Sequence, residues 1–545
     1  MYWHEQCSMS SGRFMSSDLY DMATFNRYSL VLMHEPHAQA ETSNQLPFFP
    51  VAGRVGHWLT TLTLNQKVWG LVLLNALLWT LIPWFTDHNL PLDAVEQVIW
   101  GQQWQWGYYK HPFLPAWMAQ VFWLEFSSFG IYLLSQLAIL VTLFFVYLLG
   151  RSLLGHERAL LGSLLTLGIY YFIWPTPEWN NNISQMPFWA AAVYFFKLAL
   201  DGGRYKDWML TGVALGLGML TKYSTVMLIA TLFLYVLYCT DCRKHLATKQ
   251  LWLGVVSMIL VFMPNLIWVI QHDFMPLTYA VDRSDEMERS GWLNLLLGLR
   301  FLLVQLIDHL PMILILAAAG LMAKRFWSLR ASSITTLQFL LFLGFGPAFL
   351  TVMGAWLTGS GLRDMWGTPM WNLSGLIAAA FLWPLSTNQW QRLLRSATGF
   401  IIIVSSLGLA NNLVLSHYTH KPGRTQWPDR AMAADLDSQW QKYTHKPLHL
   451  VAGDSWVAGL VALHTQGHPS VFIKGDRRFS PWVTSTEIKH DGVLLLWSGE
   501  VAQEPTELKS LGSPLVTGHS SYPWPESSRR ALSISWAIIA PEPIL

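Results

Sequence analysis

Long apolar runs separated by short polar breaks fill the chain from Val68 to His417. A helix needs roughly 17–25 mostly apolar residues to cross a bilayer. Eleven runs meet or approach that length: 68–86, 129–150, 159–175, 183–200, 208–220, 223–239, 251–270, 301–323, 335–357, 370–385 and 398–416. Only Thr221-Lys222 separates 208–220 from 223–239. The run 112–126 contains Pro112 and Pro115, so it is expected to lie in the interface rather than to span. After residue 417 the pattern changes. Leu448–Gly453 and Ser470–Lys474 read as strands around a helix at 454–466, and Gly492–Trp497 and Ala531–Ala540 read as two further strands. The pattern predicts an α-helical polytopic membrane protein of about eleven spans with a small C-terminal α/β domain.

Composition sharpens this picture. Of 545 residues, 52% are hydrophobic and 12% charged, and the mean hydropathy is +0.31. Soluble domains carry about 25% charged residues. A disordered chain, a small disulfide scaffold and an ordinary soluble enzyme are thereby excluded. The net charge of +2, with no basic block, gives a nucleic-acid partner no support. No G-x-x-x-x-G-K-[ST] loop is present, so ATP-driven transport has none either.

Basic loop residues mark the cytoplasmic side of a membrane. One set of loops holds twelve: Arg151, Arg158, Arg204, Lys206, Arg243, Lys244, Lys249, Lys324, Arg325, Arg330, Arg392 and Arg395. The opposite set holds six: Lys110, Lys222, Arg283, Arg289, Arg300 and Arg363. The polar stretch 1–57 is then a cytoplasmic amino-terminal tail. A transmembrane domain follows over 58–417, with large outer loops 87–128 and 271–300, and the domain 418–545 lies on the outer face. Cys239 and Cys242 could form a redox or metal pair, but they read as a chance spacing at a helix end, because a structural zinc site needs four ligands.

The polar residues that could do chemistry gather in the outer loops. Asp93 and Glu96 are three apart, which puts both carboxylates on one face of a helix. Such a pair suits a general base and its partner, or a cation site. The alternative is that Asp93 simply caps a helix after Pro91. Lys110-His111 follow an aromatic run, Trp104 to Tyr109, that suits either interface anchoring or stacking on sugars. Lys222 sits alone between two apolar runs, where a lipid phosphate is a natural partner and snorkelling to the interface is the alternative. Glu178 and Asn180-Asn181-Asn182 occupy a second outer loop, His272-Asp273 open a third, and Arg363 lies in a fourth. Gly212-x-x-x-Gly216-x-Gly218 reads as close helix packing.

These residues resemble a known family. Leu92-Asp93-Ala94-Val95-Glu96, Trp100-Gly101, Gln105 to Pro112 and Leu114-Pro115-Ala116-Trp117 are similar to the first outer loop of bacterial GT-C glycosyltransferases of family 39. That group is related to the protein mannosyltransferases and the lipid A aminoarabinose transferases. Trp179 to Asn182 with Pro187-Phe188-Trp189 resembles its second outer loop. Gly212 to Tyr223 resembles its glycine-rich span and Lys-Tyr pair, and Pro264 to Phe274 the start of its large outer loop. The match covers about residues 65–300 well.

The resemblance implies an inverting transfer of a sugar from a polyprenyl-phosphate donor, undecaprenyl in type, to a cell-envelope acceptor at the periplasmic face of a bacterial inner membrane. It implies Asp93 as base and Glu96 as the second acid. The sequence departs from the family in having Asp93-Ala94 where many members have Asp-Glu, and an Asn run where many have Asp. A divalent cation therefore stays open. Lys222 is assigned to the lipid phosphate, with Arg283 or Arg363 as helpers. Lys110, His111, Glu178, Asn182, Tyr223, His272 and Asp273 complete the substrate-binding set. The bilayer, the lipid-linked donor and an envelope glycan, lipid or protein acceptor are the expected partners. A transporter or flippase of lipid-linked substrates is one alternative, and an O-antigen ligase or polymerase another.

Overall fold

The computed structural model describes residues 61–284, 291–415, 423–499, 505–524 and 531–542. The expected tail 1–57 lies outside the described residues. Among those described, seven helices are long and apolar enough to cross a membrane: Leu64–Thr86, Leu114–Leu154, Asn181–Gly202, Lys249–Gln271, Trp292–Ala318, Ile334–Thr358 and Thr387–Val414. Tyr205–Thr221 and Thr225–Tyr238 are shorter helices that break at Lys222, as the sequence suggests.

Eleven full-length spans are not seen among the described residues. The run 159–175 forms a helix only over His156–Thr166. The run 370–385 is helical only over Ser374–Phe381, after a 3-10 segment, Asp364–Trp371. The run 301–323 breaks at Asp308-His309, between Gly291–Ile307 and Leu310–Ala318. The last of these lies within the apolar span Trp292–Ala318, which is long enough to cross. The run 112–126 forms a helix from Leu114 that ends at the non-helical Ser127 (φ 53°, ψ −142°), apart from the longer helical stretch that runs on to Leu154. Pro115 stands in its first turn, where no N–H partner is required, so it starts the helix rather than interrupting it. Cys239 and Cys242 are joined by a disulfide at the end of Thr225–Tyr238, in place of the expected chance spacing.

Small residues let the helices around Lys222 approach closely. A Cβ on Gly212 would fall 1.9 Å from the carbonyl oxygen of Gly254, so Tyr205–Thr221 and Lys249–Gln271 meet backbone to backbone. Hydrogen bonds then join three elements. Gln97 Nε2 donates to Asn181 Oδ1 (2.9 Å), and Asn181 Nδ2 donates to the Thr221 carbonyl (2.8 Å).

The C-terminal sheet has the order β2-β1-β3-β5-β4, with β1 Leu450–Gly453, β2 Ser470–Ile473, β3 Val493–Ser498, β4 Val516–Tyr522 and β5 Leu532–Ile539. β1 is parallel to β2 and β3, while β5 is antiparallel to β3 and β4. Four of these strands match the sequence expectation. β4 was not foreseen, because its Thr, His and Ser positions are those of a half-solvated edge strand. The helix Val457–His464 packs on the loop helix Leu92–Gly101, where a Cβ on Gly459 would fall 2.7 Å from Val95 Cγ1. The loop before the helix Leu92–Gly101 holds the same domain by its linker. His88 N–H donates to the Thr425 carbonyl (2.8 Å) and Trp427 N–H donates to Asn89 Oδ1 (2.8 Å).

Candidate active site

The loop helix Leu92–Gly101 begins after Pro91, whose side chain cannot cap it. Asp93 therefore stands in the first turn, and the capping alternative is not what the structure has. Glu178 of the second loop serves instead: its Oε1 accepts the Asp93 N–H at 3.1 Å. The Asp93 carboxylate is half-buried and makes no hydrogen bond or ion pair among the described residues. Burial, then the Asp93 charge, raises the Glu178 carboxyl to about 7, against the pull of the Asp93 N–H and Arg424.

Lys222 projects from the break between two short helices. Its Nζ donates to Asn182 Oδ1 (2.5 Å) and lies 5.6 Å from the Trp366 ring. Burial lowers its ammonium to about 8, and the Asp93 charge opposes that shift. Asn182 is held in place because Asn180 caps its helix, accepting the N–H groups of Asn182 and Ile183. Tyr223 beside it donates to Asn265 Oδ1 (3.1 Å), and Asn265 Nδ2 donates to the Trp106 carbonyl (2.7 Å). The loop of Glu178, the break at Lys222-Tyr223 and the helix Lys249–Gln271 thus all reach the loop that carries Asp93 and Trp106.

Glu96, only 5% exposed, faces Lys110 at 2.6 Å. The Lys110 ammonium also lies 5.3 Å from the Trp100 ring and 5.6 Å from the Tyr109 ring. Burial pushes the Glu96 carboxyl upward, and Lys110 counters it. Burial alone would lower the Lys110 ammonium, but the Glu96 carboxylate outweighs it. The His111 ring sits 6.4 Å from Trp100.

Not every expected residue joins this group. His272 stacks on Trp268 at 4.0 Å and its Nδ1 pairs with the Trp268 carbonyl (2.8 Å), which is a helix-end role. Asp273 is exposed with φ 52° in the turn that follows. Neither makes a hydrogen bond or ion pair with Asp93, Glu178 or Lys222 among the described residues. Arg363 is exposed just before the 3-10 segment that carries Trp366. The side chain of Arg283 lies outside the described residues. Sequence reasoning missed Gln97, Trp366 and Arg424, whose neighbours at the site are far away along the chain. Among the described residues no group of three His, Cys, Asp or Glu side chains could hold a metal ion.

The family described as dolichyl-phosphate-mannose-protein mannosyltransferase matches residues 110–268, which include Lys110, Glu178, Asn182 and Lys222. The lipopolysaccharide core galacturonosyltransferase RgtB of Rhizobium johnstonii is 23% identical over 432 residues, 76% of this chain and 83% of that protein. The chain is a glycosyltransferase that resembles this GT-C family over that stretch. The undecaprenyl phosphate-alpha-4-amino-4-deoxy-L-arabinose arabinosyl transferase of Pseudomonas aeruginosa is 26% identical to this glycosyltransferase over 221 residues, 37% of the chain and 40% of that protein. In fold, the glycosyltransferase is similar to ArnT from Cupriavidus metallidurans, crystallised with undecaprenyl phosphate, at a TM-score of 0.55 and 14% identity over 85% of this chain and 97% of that one.

Proposed function

We propose that this glycosyltransferase moves a sugar from a polyprenyl-phosphate donor to a cell-envelope acceptor at the periplasmic face, with inversion at the anomeric carbon. The observation that carries the reading is the unengaged Asp93 carboxylate set in the electrostatic reach of the buried Lys222 ammonium. A base and a cation at one site are what a single displacement from a lipid phosphate needs. The acceptor hydroxyl oxygen bonds to the anomeric carbon and gives its proton to Asp93. The bond from that carbon to the phosphate oxygen breaks, and the phosphate leaves with the electron pair. Lys222, oriented by Asn182, holds the departing phosphate. Lys110 is neutralised by Glu96, which stands three residues along the loop helix from Asp93.

The outer orientation rests on the twelve basic residues in one loop set against six in the other. An outer site also suits a donor that carries no nucleotide. Names of relatives support the donor class: one transfers from undecaprenyl phosphate-linked aminoarabinose and another acts on lipopolysaccharide core.

The test compares wild type with Asp93→Asn in a deletion strain, at equal protein levels, with envelope glycolipids read by mass spectrometry. A sugar-sized mass should vanish in the deletion and return only with wild type. Loss of the base should slow transfer about 10²–10⁴-fold. Full restoration by Asp93→Asn would remove Asp93 as base.

A further inference from the structure

The C-terminal domain carries a groove of about 1160 Å³. Small-molecule pockets are typically about 300–1,000 Å³, so this one has room for an extended ligand. Its apolar lining includes Phe472, Ile488, Leu511 and Ile539. Charged side chains line it as well, and most are already matched. Arg478 pairs with Asp476 (2.7 Å) and Lys489 with Glu542 (3.5 Å). Lys474 and Arg477 form no close ion pair among the described residues, though Lys474 lies within electrostatic reach of Asp454 and Asp476, Arg477 donates to Ser485, and Glu507 is a further lining acid. Lys474 is held in the left-handed region (φ 56°), a conformation that lysine rarely adopts.

This cationic end leads back to the site already described. The Lys474 ammonium lies 5.5 Å from the Phe479 ring, and Phe479 meets Tyr109 with ring centroids 4.8 Å apart. Trp482 of the same loop meets Tyr108 at 6.2 Å. Tyr109 in turn borders Lys110, the partner of Glu96. The groove and the loop helix of Asp93 are therefore joined through one continuous aromatic contact.

We propose that this groove is an acceptor subsite that holds an anionic saccharide. Resting on the function proposed above, it names the acceptor's chemical class. Sugar rings present apolar C–H faces that suit the floor. Phosphate or carboxylate groups on the saccharide are met by Lys474 and Arg477. The packed contact of Phe479 with Tyr109 fixes the groove's position relative to the loop helix.

The test uses purified full-length protein in nanodiscs and thermophoresis with three probes. These are lipopolysaccharide core oligosaccharide, the same oligosaccharide dephosphorylated, and the dephosphorylated form with its carboxyls reduced. The intact oligosaccharide should bind, and the neutral one at least about tenfold more weakly, or about 1.4 kcal/mol. The middle probe assigns the anion to phosphate or to carboxylate. The Lys474→Glu/Arg477→Glu pair should weaken the intact probe by a similar factor, whereas Lys446→Glu, on the same domain outside the groove, should not. Equal binding of intact and neutral probes, or of wild type and the pair, would overturn the proposal. Undecaprenyl phosphate is titrated in parallel. If wild type fails to bind it, the donor reading falls while the groove result still stands or falls on the saccharide probes.

Discussion

Glu178 approaches Asp93 from a loop 85 residues away and leaves two carboxylates side by side at one helix start. Burial, and then the neighbouring Asp93 charge, bring Glu178 to about 7. Below that pH Glu178 is neutral; above it, Glu178 adds a negative charge that draws the acceptor hydroxyl's proton toward this helix start. Transfer rate should therefore rise with pH through about 7. Glu178→Gln keeps an acceptor oxygen for the Asp93 N–H but carries no charge at any pH. Its rate profile should lose the inflexion near neutrality, and an unchanged profile would assign that limb to another group. Asp93 and Glu96 were readable as one helix face from their spacing alone. Glu178 was not readable as the neighbour of Asp93, since nothing in its local sequence points to the loop helix.

At the scale of elements, the site depends on two breaks. Thr221 ends one helix and Thr225 begins the next, so Lys222 projects from extended backbone (φ −161°, ψ 135°) rather than from a helix face. The first of these helices is fixed by its contact with Lys249–Gln271 at Gly212 and Gly254. Gly212→Leu would drive a side chain into a backbone oxygen, which no rotamer change relieves. The variant should lower the thermal midpoint of the purified protein and weaken undecaprenyl phosphate binding together. Gly399→Ala, with open space around it, should do neither. The glycine spacing was legible in the sequence as helix packing. The helix lengths were less so, because hydropathy does not register where a 3-10 turn or a polar pair such as Asp308-His309 stops a helix.

The whole molecule places the C-terminal domain directly on the loop helix Leu92–Gly101 that carries Asp93. Gly459 lets the helix Val457–His464 lie against Val95 and Ile99. Those residues are fully buried, although they belong to a loop between membrane helices. Asp93 is on the same ten-residue helix, so the seating of the domain sets the position of the carboxylate. Gly459→Leu should push the two apart and cut transfer sharply, with a smaller loss for Gly459→Ala. Equal activity of all three, measured by envelope mass spectrometry at matched expression, would mean that the domain's seating does not matter to the site.

By itself, the sequence determined what repeats and what is local. Runs of apolar residues state membrane helices because a bilayer selects for length and hydropathy alone. Strands β1, β2, β3 and β5 were legible through short apolar runs bounded by turn residues. The first-loop motif identified the family resemblance and the acids. Only the tertiary structure decided which distant side chains meet. Lys110 found Glu96, Lys222 found Asn182, and Phe479 found Tyr109. These pairings depend on how helices and domain are packed in space, and a burial pattern read along one chain carries no information about which buried faces touch.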